Sequence, residues 1–444
     1  MAERRVQLAD GTARAPGLRA AWSLPATVAG LVAVVVSFAG PSLIILAAAS
    51  AGGLSTAETT SWLWAVSIGS GLTCLTLSLV TRQPVITAWS TPGAALLLGS
   101  LSGHDFSDVV GAYLVCAVVT LLLAVTGAFG RILAAIPGEI LAAVLAGVLV
   151  PFLLGAVTAA GSSPAIGLAV VASFLVGRRF APRYAVLLAL VVGVVAAVVA
   201  GTMGDVHVEL EIARPVWTAP TFDLGTVVGI GLPLLLVTLS AQNGPGLEML
   251  RVSGYQPNPR LLVGGTAVAW ALLAPFGAHG INLAAITAGI CTGPQAHPAR
   301  ERRYVAGVVC GLAYLLVGLF AGGLVEIFHA VPTVLVATVA GVALLGALTG
   351  ALRGMFVTAG GDSAPARVVE PAVVAFLVTA SGVLWWRVGS AFWGLVLGVL
   401  VWLVLSVGVA RAARKPTRTG EGAEADAPPP RRTEREPDEL GRRG

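Results

Sequence analysis

The sequence predicts an all-α polytopic membrane protein of fourteen transmembrane segments, arranged as two inverted repeats of seven, and three observations predict it. The interior of the chain is almost free of charge. Of the 49 charged residues in 444, six lie in residues 1–19 and sixteen in residues 411–444, so the 391 residues between them carry 27. The apolar runs reach the roughly 20 residues that span a hydrocarbon core. The arginines fall into alternate loops, as the orientation rule for membrane proteins requires.

A chain with 56% hydrophobic residues and a mean hydropathy of +0.88 lacks the polar surface to coat itself in water, which excludes the secreted, cytosolic and nucleic-acid-binding classes. The net charge of +5 reports topology, because the basic residues sit in short loops and tails between apolar runs. Cys74, Cys116, Cys291 and Cys310 fall within or at the end of apolar stretches without metal-site spacing, so neither a disulfide nor a metal is expected. Residues 1–22 form a basic N-terminal tail that runs into a segment of full spanning length, unlike a cleaved signal peptide.

Breaks of charge, Pro and Gly delimit spans at 26–50, 58–80, 84–101, 108–129, 137–160, 163–177, 183–203, 223–247, 260–276, 279–293, 303–323, 329–352, 368–384 and 391–410. The third and tenth are short and polar, and charge decides that they cross. With all fourteen crossing and a cytoplasmic N-terminus, twelve loop arginines, among them Arg82, Arg131, Arg251 and Arg353, lie inside, against Arg214 and Arg387 outside. If the two short segments only dipped into the bilayer, Arg131, Arg178, Arg179, Arg183, Arg251 and Arg260 would lie outside. The loop 204–220, with Asp205, Glu209 and Glu211, is then external. Residues 411–444 mix Arg, Glu, Asp and a Pro428–Pro430 run, the composition of a disordered tail, here cytoplasmic.

The membrane domain, 23–410, divides into repeats of about 23–204 and 222–410. Gly40-Pro41-Ser42-Leu43-Ile44-Ile45-Leu46 in the first span matches Gly244-Pro245-Gly246-Leu247-Glu248-Met249-Leu250 in the eighth at four of seven positions. The short polar segment is third in each half. An odd number of spans per half inverts the second repeat, the plan of many secondary transporters whose broken helices meet at a midplane site.

In the third span, residues 83–89 suit an extended chain, whereas Ser90-Thr91-Pro92-Gly93 opens a helix with a hydroxyl cap and Pro at its start. A helix beginning inside the membrane turns unpaired amides and a positive dipole end toward the bilayer centre. In the tenth span, 280–283 is again extended, with a half-helix starting near Ala284 to Thr287. Two opposed helix N-termini suit an anion. No Lys or Arg lies at that depth, so a carboxylate would meet amides and hydroxyls, with Trp89, Phe38 and Phe276 as an aromatic wall.

Four runs carry a resemblance: Ala88-Trp89-Ser90-Thr91-Pro92-Gly93-Ala94-Ala95; Ser240-Ala241-Gln242-Asn243-Gly244-Pro245-Gly246; Ala274-Pro275-Phe276-Gly277 with Ile281-Asn282-Leu283-Ala284-Ala285-Ile286-Thr287; and Cys291-Thr292-Gly293-Pro294-Gln295-Ala296-His297-Pro298. The chain resembles the BenE-type benzoate:proton symporters over nearly its whole length apart from the tails. The resemblance implies an inner-membrane importer of benzoate or a related aromatic carboxylate, driven by protons, with a fold like that of uracil permease and the sulfate/anion transporters, divided into core and gate domains. By position it implicates Ser90, Thr91, Gln242, Asn243, Asn282 and Thr287. The family pattern carries an apolar residue where this chain has Glu248, which weighs against a family-wide proton role there.

Three groups stand nearest the expected midplane as proton-coupling candidates: Glu248, His279 at the outer start of the tenth span, and Glu139 at the inner start of the fifth. Each has a plainer role, as an ion pair with Arg251, an interfacial cap and a first-turn acid on its own helix dipole. The simpler expectation is that the proton travels with the substrate. A nucleobase or inorganic-anion carrier on the same fold is the alternative within transport. A membrane enzyme is disfavoured by five scattered histidines and the lack of a His-Glu-x-x-His run. The expected partners are the aromatic carboxylate, protons and the lipid bilayer, with no cofactor; a homodimer is compatible with the sequence.

Overall fold

The protein is described by a computed structural model, covering residues 17–131, 136–204, 211–284, 287–357, 365–385 and 388–413. Most of both tails, Asp205 and Glu209 of the long loop, Ala285, Ile286 and Arg387 lie outside the described residues. After one helical turn at Leu18–Ala21 come α1 (Leu24–Ala39), α2 (Pro41–Ala51), α3 (Thr56–Thr81), β1 (Thr87–Trp89), α4 (Thr91–Ser100), α5 (Phe106–Thr126), α6 (Gly138–Ser162), α7 (Pro164–Phe180) and α8 (Ala185–Val199). The rest comprises α9 (Leu224–Val252), α10 (Pro259–Leu273), β2 (Ile281–Leu283), α11 (Ala288–Thr292), α12 (Tyr304–Leu319), α13 (Ala321–His329), α14 (Thr333–Phe356), α15 (Ala366–Ala380) and α16 (Ser390–Ala413). Among the described residues, eight helices are long and apolar enough to cross a membrane.

Local sequence sets the helix starts. Ser55 and Glu58 form a reciprocal capping box that opens α3, Asp223 accepts from the Thr226 amide at the head of α9, and Asn258 precedes Pro259 at the head of α10. Gly40 and Pro41 interrupt the first span between α1 and α2. The twelfth span, expected at 329–352, is the helix α14, and the residues before it form the separate short helix α13.

The eighth span departs from expectation. Expected at 223–247, it runs on to Val252 as one helix, α9, with two π-helical stretches, Val227–Gly231 and Leu239–Asn243. Each stretch precedes a proline, Pro233 or Pro245. A proline removes one amide and clashes with the carbonyl four residues back, and widening the turn absorbs that defect without ending the helix.

The helices pack in two groups. In one, α3 lies along α12, α5 along α10, and α1 against α12; in the other, α6 packs on α14 and α15, α15 on α16, and α7 on α8. Contacts of α2 with α14 and of α4 with α6 join the groups. The crossing of α3 and α12 brings backbones together. A Cβ on Gly311 would sit 2.7 Å from the Gly71 carbonyl oxygen, so a larger residue would push the helices apart. On α8, Val191, Val195 and Val199 stand exposed, an apolar surface suited to lipid and not to water.

Candidate functional site

β1 and β2 form an antiparallel two-stranded ribbon with Thr87 opposite Leu283, Ala88 opposite Asn282 and Trp89 opposite Ile281. Two further backbone bonds extend it, from Ser90 N–H to the Gly280 oxygen at 3.3 Å and from Ala284 N–H to the Ile86 oxygen at 2.9 Å. A ribbon of two short strands is marginal alone, and its outer edges would be unpaired inside a membrane.

Side chains cover both edges. On α3, Ser70, Thr73, Cys74 and Ser78 share one face and complete the chain on the β1 side. The Thr87 amide donates to Cys74 Sγ at 3.1 Å, the Thr87 hydroxyl donates to the Ser70 oxygen at 2.9 Å, and Ser78 Oγ lies 3.1 Å from both the amide and the oxygen of Val85. On the β2 side, Asn243 Oδ1 accepts from the Leu283 amide at 3.0 Å. Gly246 permits this approach, since a Cβ there would lie 2.5 Å from Leu283 Cβ. The α3 stripe was the signal that sequence reasoning missed: four small polar residues spaced i, i+3, i+4 and i+8 in an apolar helix.

Ser90 is the hinge between ribbon and half-helix. Its Oγ accepts from Gly93 N–H at 3.0 Å and from the Thr238 hydroxyl at 3.3 Å, while its own proton remains available to donate. Pro92 has no amide, and the Ala94 amide bonds the Ser90 oxygen at 2.8 Å. The cap, the proline and the Ala94 bond thus account for residues 92–94 of the first turn, where unpaired amides would be the general expectation. The counterpart α11 is only five residues long, with Thr287 buried at its head. Arg303 holds its far end, donating to the carbonyls of Thr292 and His297 at 2.7 Å each and of Pro298 at 3.1 Å. That clasp ties down the backbone of residues 292–298 after α11.

Several buried polar atoms around the ribbon have no partner among the described residues: both side-chain atoms of Asn282, Nδ2 of Asn243 and Nε1 of Trp89. Trp89 stacks edge-on against Phe38 at 5.6 Å and Tyr314 at 5.7 Å, and Tyr314 is hydrogen-bonded to Ser37. Phe276 does not join this aromatic cluster. It packs with Trp64 at 5.6 Å and Trp217 at 5.4 Å, because the turn at Ala274–Phe276 precedes the ribbon and directs it away. Gln242 is half-buried on the second π-helical stretch. Of two cavities, of about 350 and 590 Å3, the larger is lined by Ser240, Gly244, Pro245 and Leu247 of α9, flanking Gln242 and Asn243.

The titratable candidates separate. His279 is no interfacial cap: it is fully buried, Nδ1 2.9 Å from Trp62 Nε1 and Nε2 3.0 Å from the Ser90 oxygen. Glu248 is exposed and pairs with Arg251 at 3.3 Å. Glu139 is partly buried in the first turn of α6.

Residues 20–404 match the family described as Benzoate membrane transport protein, BenE. The chain belongs to this benzoate membrane transport family. It is 38% identical over 388 residues to the Benzoate membrane transport protein of Acinetobacter baylyi, covering 87% of this chain and 97% of that one. To the Inner membrane protein YdcO of Escherichia coli it is 36% identical over 383 residues, covering 86% and 96%. Among solved structures it is similar to the transmembrane domain of the cyanobacterial bicarbonate transporter BicA, with a TM-score of 0.52, 15% identity, and 87% and 97% of the two chains covered. It is also similar to SLC26A9, with a TM-score of 0.56, 12% identity, and 87% and 65% covered. At such identities the likeness is one of fold. The benzoate transport family and these neighbours are membrane transporters, not enzymes.

Proposed function

We propose that the protein imports benzoate or a related aromatic carboxylate together with protons, by alternating access, through fourteen spans in two inverted halves of seven. The observation that carries this reading is the unpartnered buried side-chain amides of Asn282 and Asn243 at the ribbon, beside the Ser90 cap. Unpaired polar atoms at such depth are costly unless a ligand completes them. A carboxyl group fits these amides, while the Phe38, Trp89 and Tyr314 cluster supplies aromatic surface beside the ribbon. In this reading Gln242 and Asn243 orient the acid, and Thr287 borders it from the second half.

The inverted halves are supported by reciprocal packing. The second span packs along the eleventh as the fourth packs along the ninth, and the third and tenth meet each other in antiparallel register. Alternating access then amounts to movement of the ribbon-bearing group of helices against the group built on α6 and α14. The arginine asymmetry of the loops supports cytoplasmic termini in the plasma membrane.

Uptake of labelled benzoate into proteoliposomes with an acidic exterior tests the reading. Transport is expected, and replacing Ser90 and Thr91 together by Ala raises the apparent Kd about tenfold, as the loss of one to two hydrogen bonds would. Uptake of labelled uracil or bicarbonate that benzoate does not inhibit, with no uptake of benzoate, would transfer the site to the alternative substrates.

A further inference from the structure

Asn282 lies at the centre of β2, wholly buried, and neither Oδ1 nor Nδ2 has a hydrogen-bond partner among the described residues. Because both atoms are unpartnered, the assignment of oxygen and nitrogen does not affect the argument. The amide stands beside the helix cap: a Cβ on Gly280 would lie 3.6 Å from Asn282 Nδ2, 3.3 Å from Ser90 Cβ and 3.8 Å from Thr238 Oγ1. A primary amide offers one edge with a donor and an acceptor side by side.

The surroundings supply no counter-charge. Among the described residues the buried cationic or histidine side chains are Arg303, spent on three carbonyls at the far end of α11, and His279, with both ring nitrogens engaged. The other buried titratable groups on elements around the ribbon are Cys74 on α3, Tyr113 and Cys116 on α5, Cys291 on α11, and Tyr304, Cys310 and Tyr314 on α12; the charged Glu58, Asp108 and Arg260 sit in the first turns of α3, α5 and α10, at the helix ends. Thiols and phenols are ordinarily neutral near pH 7. Glu248 and Arg251 sit exposed at the end of α9, paired with each other.

A carboxylate carries acceptors only. It would satisfy Nδ2 and set a negative oxygen against Oδ1. A protonated carboxylic acid carries a hydroxyl donor and a carbonyl acceptor at the spacing of the amide edge, so both atoms of Asn282 are satisfied at once. We propose that Asn282 recognises the protonated acid, its O–H donating to Oδ1 and its carbonyl accepting from Nδ2, so that the coupled proton crosses as part of the substrate. The proton comes from solution on the acidic side and leaves with the acid on the other, and no protein carboxylate takes part. This inference rests on the aromatic-acid reading above and specifies the form in which the acid is held.

Three benzene derivatives, two of them with a planar head group of one shape, test it on the full-length protein in lipid nanodiscs. Benzamide presents the same donor and acceptor edge without a titrating proton, benzenesulfonate is a permanent anion, and benzoate interconverts. Benzamide is expected to compete with benzoate at an affinity that stays flat from about pH 5.5 to about pH 7.5, while benzoate weakens about tenfold per pH unit as its protonated fraction falls. Benzenesulfonate is expected not to compete. Asn282→Leu should weaken benzamide and benzoate alike by about tenfold or more, and Asn282→Asp should abolish benzamide binding when ionised; melting temperatures of both variants identify any that fail to fold. Benzenesulfonate binding without benzamide binding, or a benzoate affinity independent of pH, overturns the proposal while leaving benzoate transport intact. Failure of benzoate itself to bind overturns the functional reading along with it.

Discussion

His279 Nε2 lies 3.0 Å from the main-chain oxygen of Ser90, joining residues 189 positions apart at the point where a helix begins inside the protein. The partner on the other side of the ring decides the tautomer. Trp62 Nε1 can only donate, so His279 Nδ1 accepts at 2.9 Å and Nε2 carries the proton that bonds Ser90. The Ser90 oxygen thus receives two donors, the ring and the Ala94 amide. A neutral histidine fastens the approach to β2 onto the cap of α4, and it has no free nitrogen with which to shuttle a proton.

Two substitutions separate positioning from proton transfer. In His279→Gln the amide nitrogen falls near the place of Nε2 and keeps the bond to Ser90; in His279→Asn the shorter side chain keeps only the Trp62 contact. Benzoate Kd is expected to stay within about threefold in the Gln variant and to rise about tenfold in the Asn variant, one hydrogen bond's worth of energy. Equal loss of acid-driven uptake in both, with exchange preserved, would make His279 the proton carrier.

Trp89 gives a prediction in which stability and affinity move apart. Its indole N–H is buried without an acceptor, while its ring packs on Phe38 and Tyr314. Trp89→Phe removes the orphan donor and keeps an aromatic ring, although the smaller ring leaves some space. The melting temperature without substrate is expected to fall by no more than a few degrees, whereas benzoate Kd rises about fivefold to tenfold. An unchanged Kd would mean that the indole serves packing alone.

Gly246 tests the seat of the ribbon. In Gly246→Ala the new Cβ meets Leu283 Cβ at 2.5 Å and the Leu283 carbonyl carbon at 3.2 Å, so α9 must move off β2 and lengthen the Asn243 bond to the Leu283 amide. Overpacking of this kind costs about 1–3 kcal/mol. A lower melting temperature and loss of benzoate binding are expected together, read by thermal unfolding and by uptake.

Much of this arrangement was legible where the signal was local. Ser90, Pro92 and Gly93 announce a helix start within four residues, and the extended-compatible stretch before them holds β1. What depends on residues far apart in the chain was not. Nothing near Asn243 indicates that its side chain completes β2, and nothing near His279 indicates that Trp62 and Ser90 will enclose it. Nothing around Pro245 announces the π-helical turn before it, which accommodates the proline within a continuous helix. Phe276 was grouped with Trp89 on chemical type, and the turn at Ala274–Phe276 sends it to a different aromatic neighbourhood.

The carboxylates provide the last prediction. Glu248 side-chain oxygen lies 3.3 Å from Arg251 Nη1, with the two side chains 61% and 51% exposed, so solvent screens the pair and its contribution is at most about 1 kcal/mol. Glu139 occupies the first turn of α6, where a negative charge complements the helix dipole. If the proton travels with the acid, neither residue is required for coupling. Glu248→Gln and Glu139→Gln, singly and together, are expected to keep acid-driven benzoate uptake within about twofold, with a melting temperature lowered by a few degrees at most. Loss of acid-driven uptake in Glu248→Gln, with benzoate exchange retained, would place the coupling step at that carboxylate and remove it from the substrate.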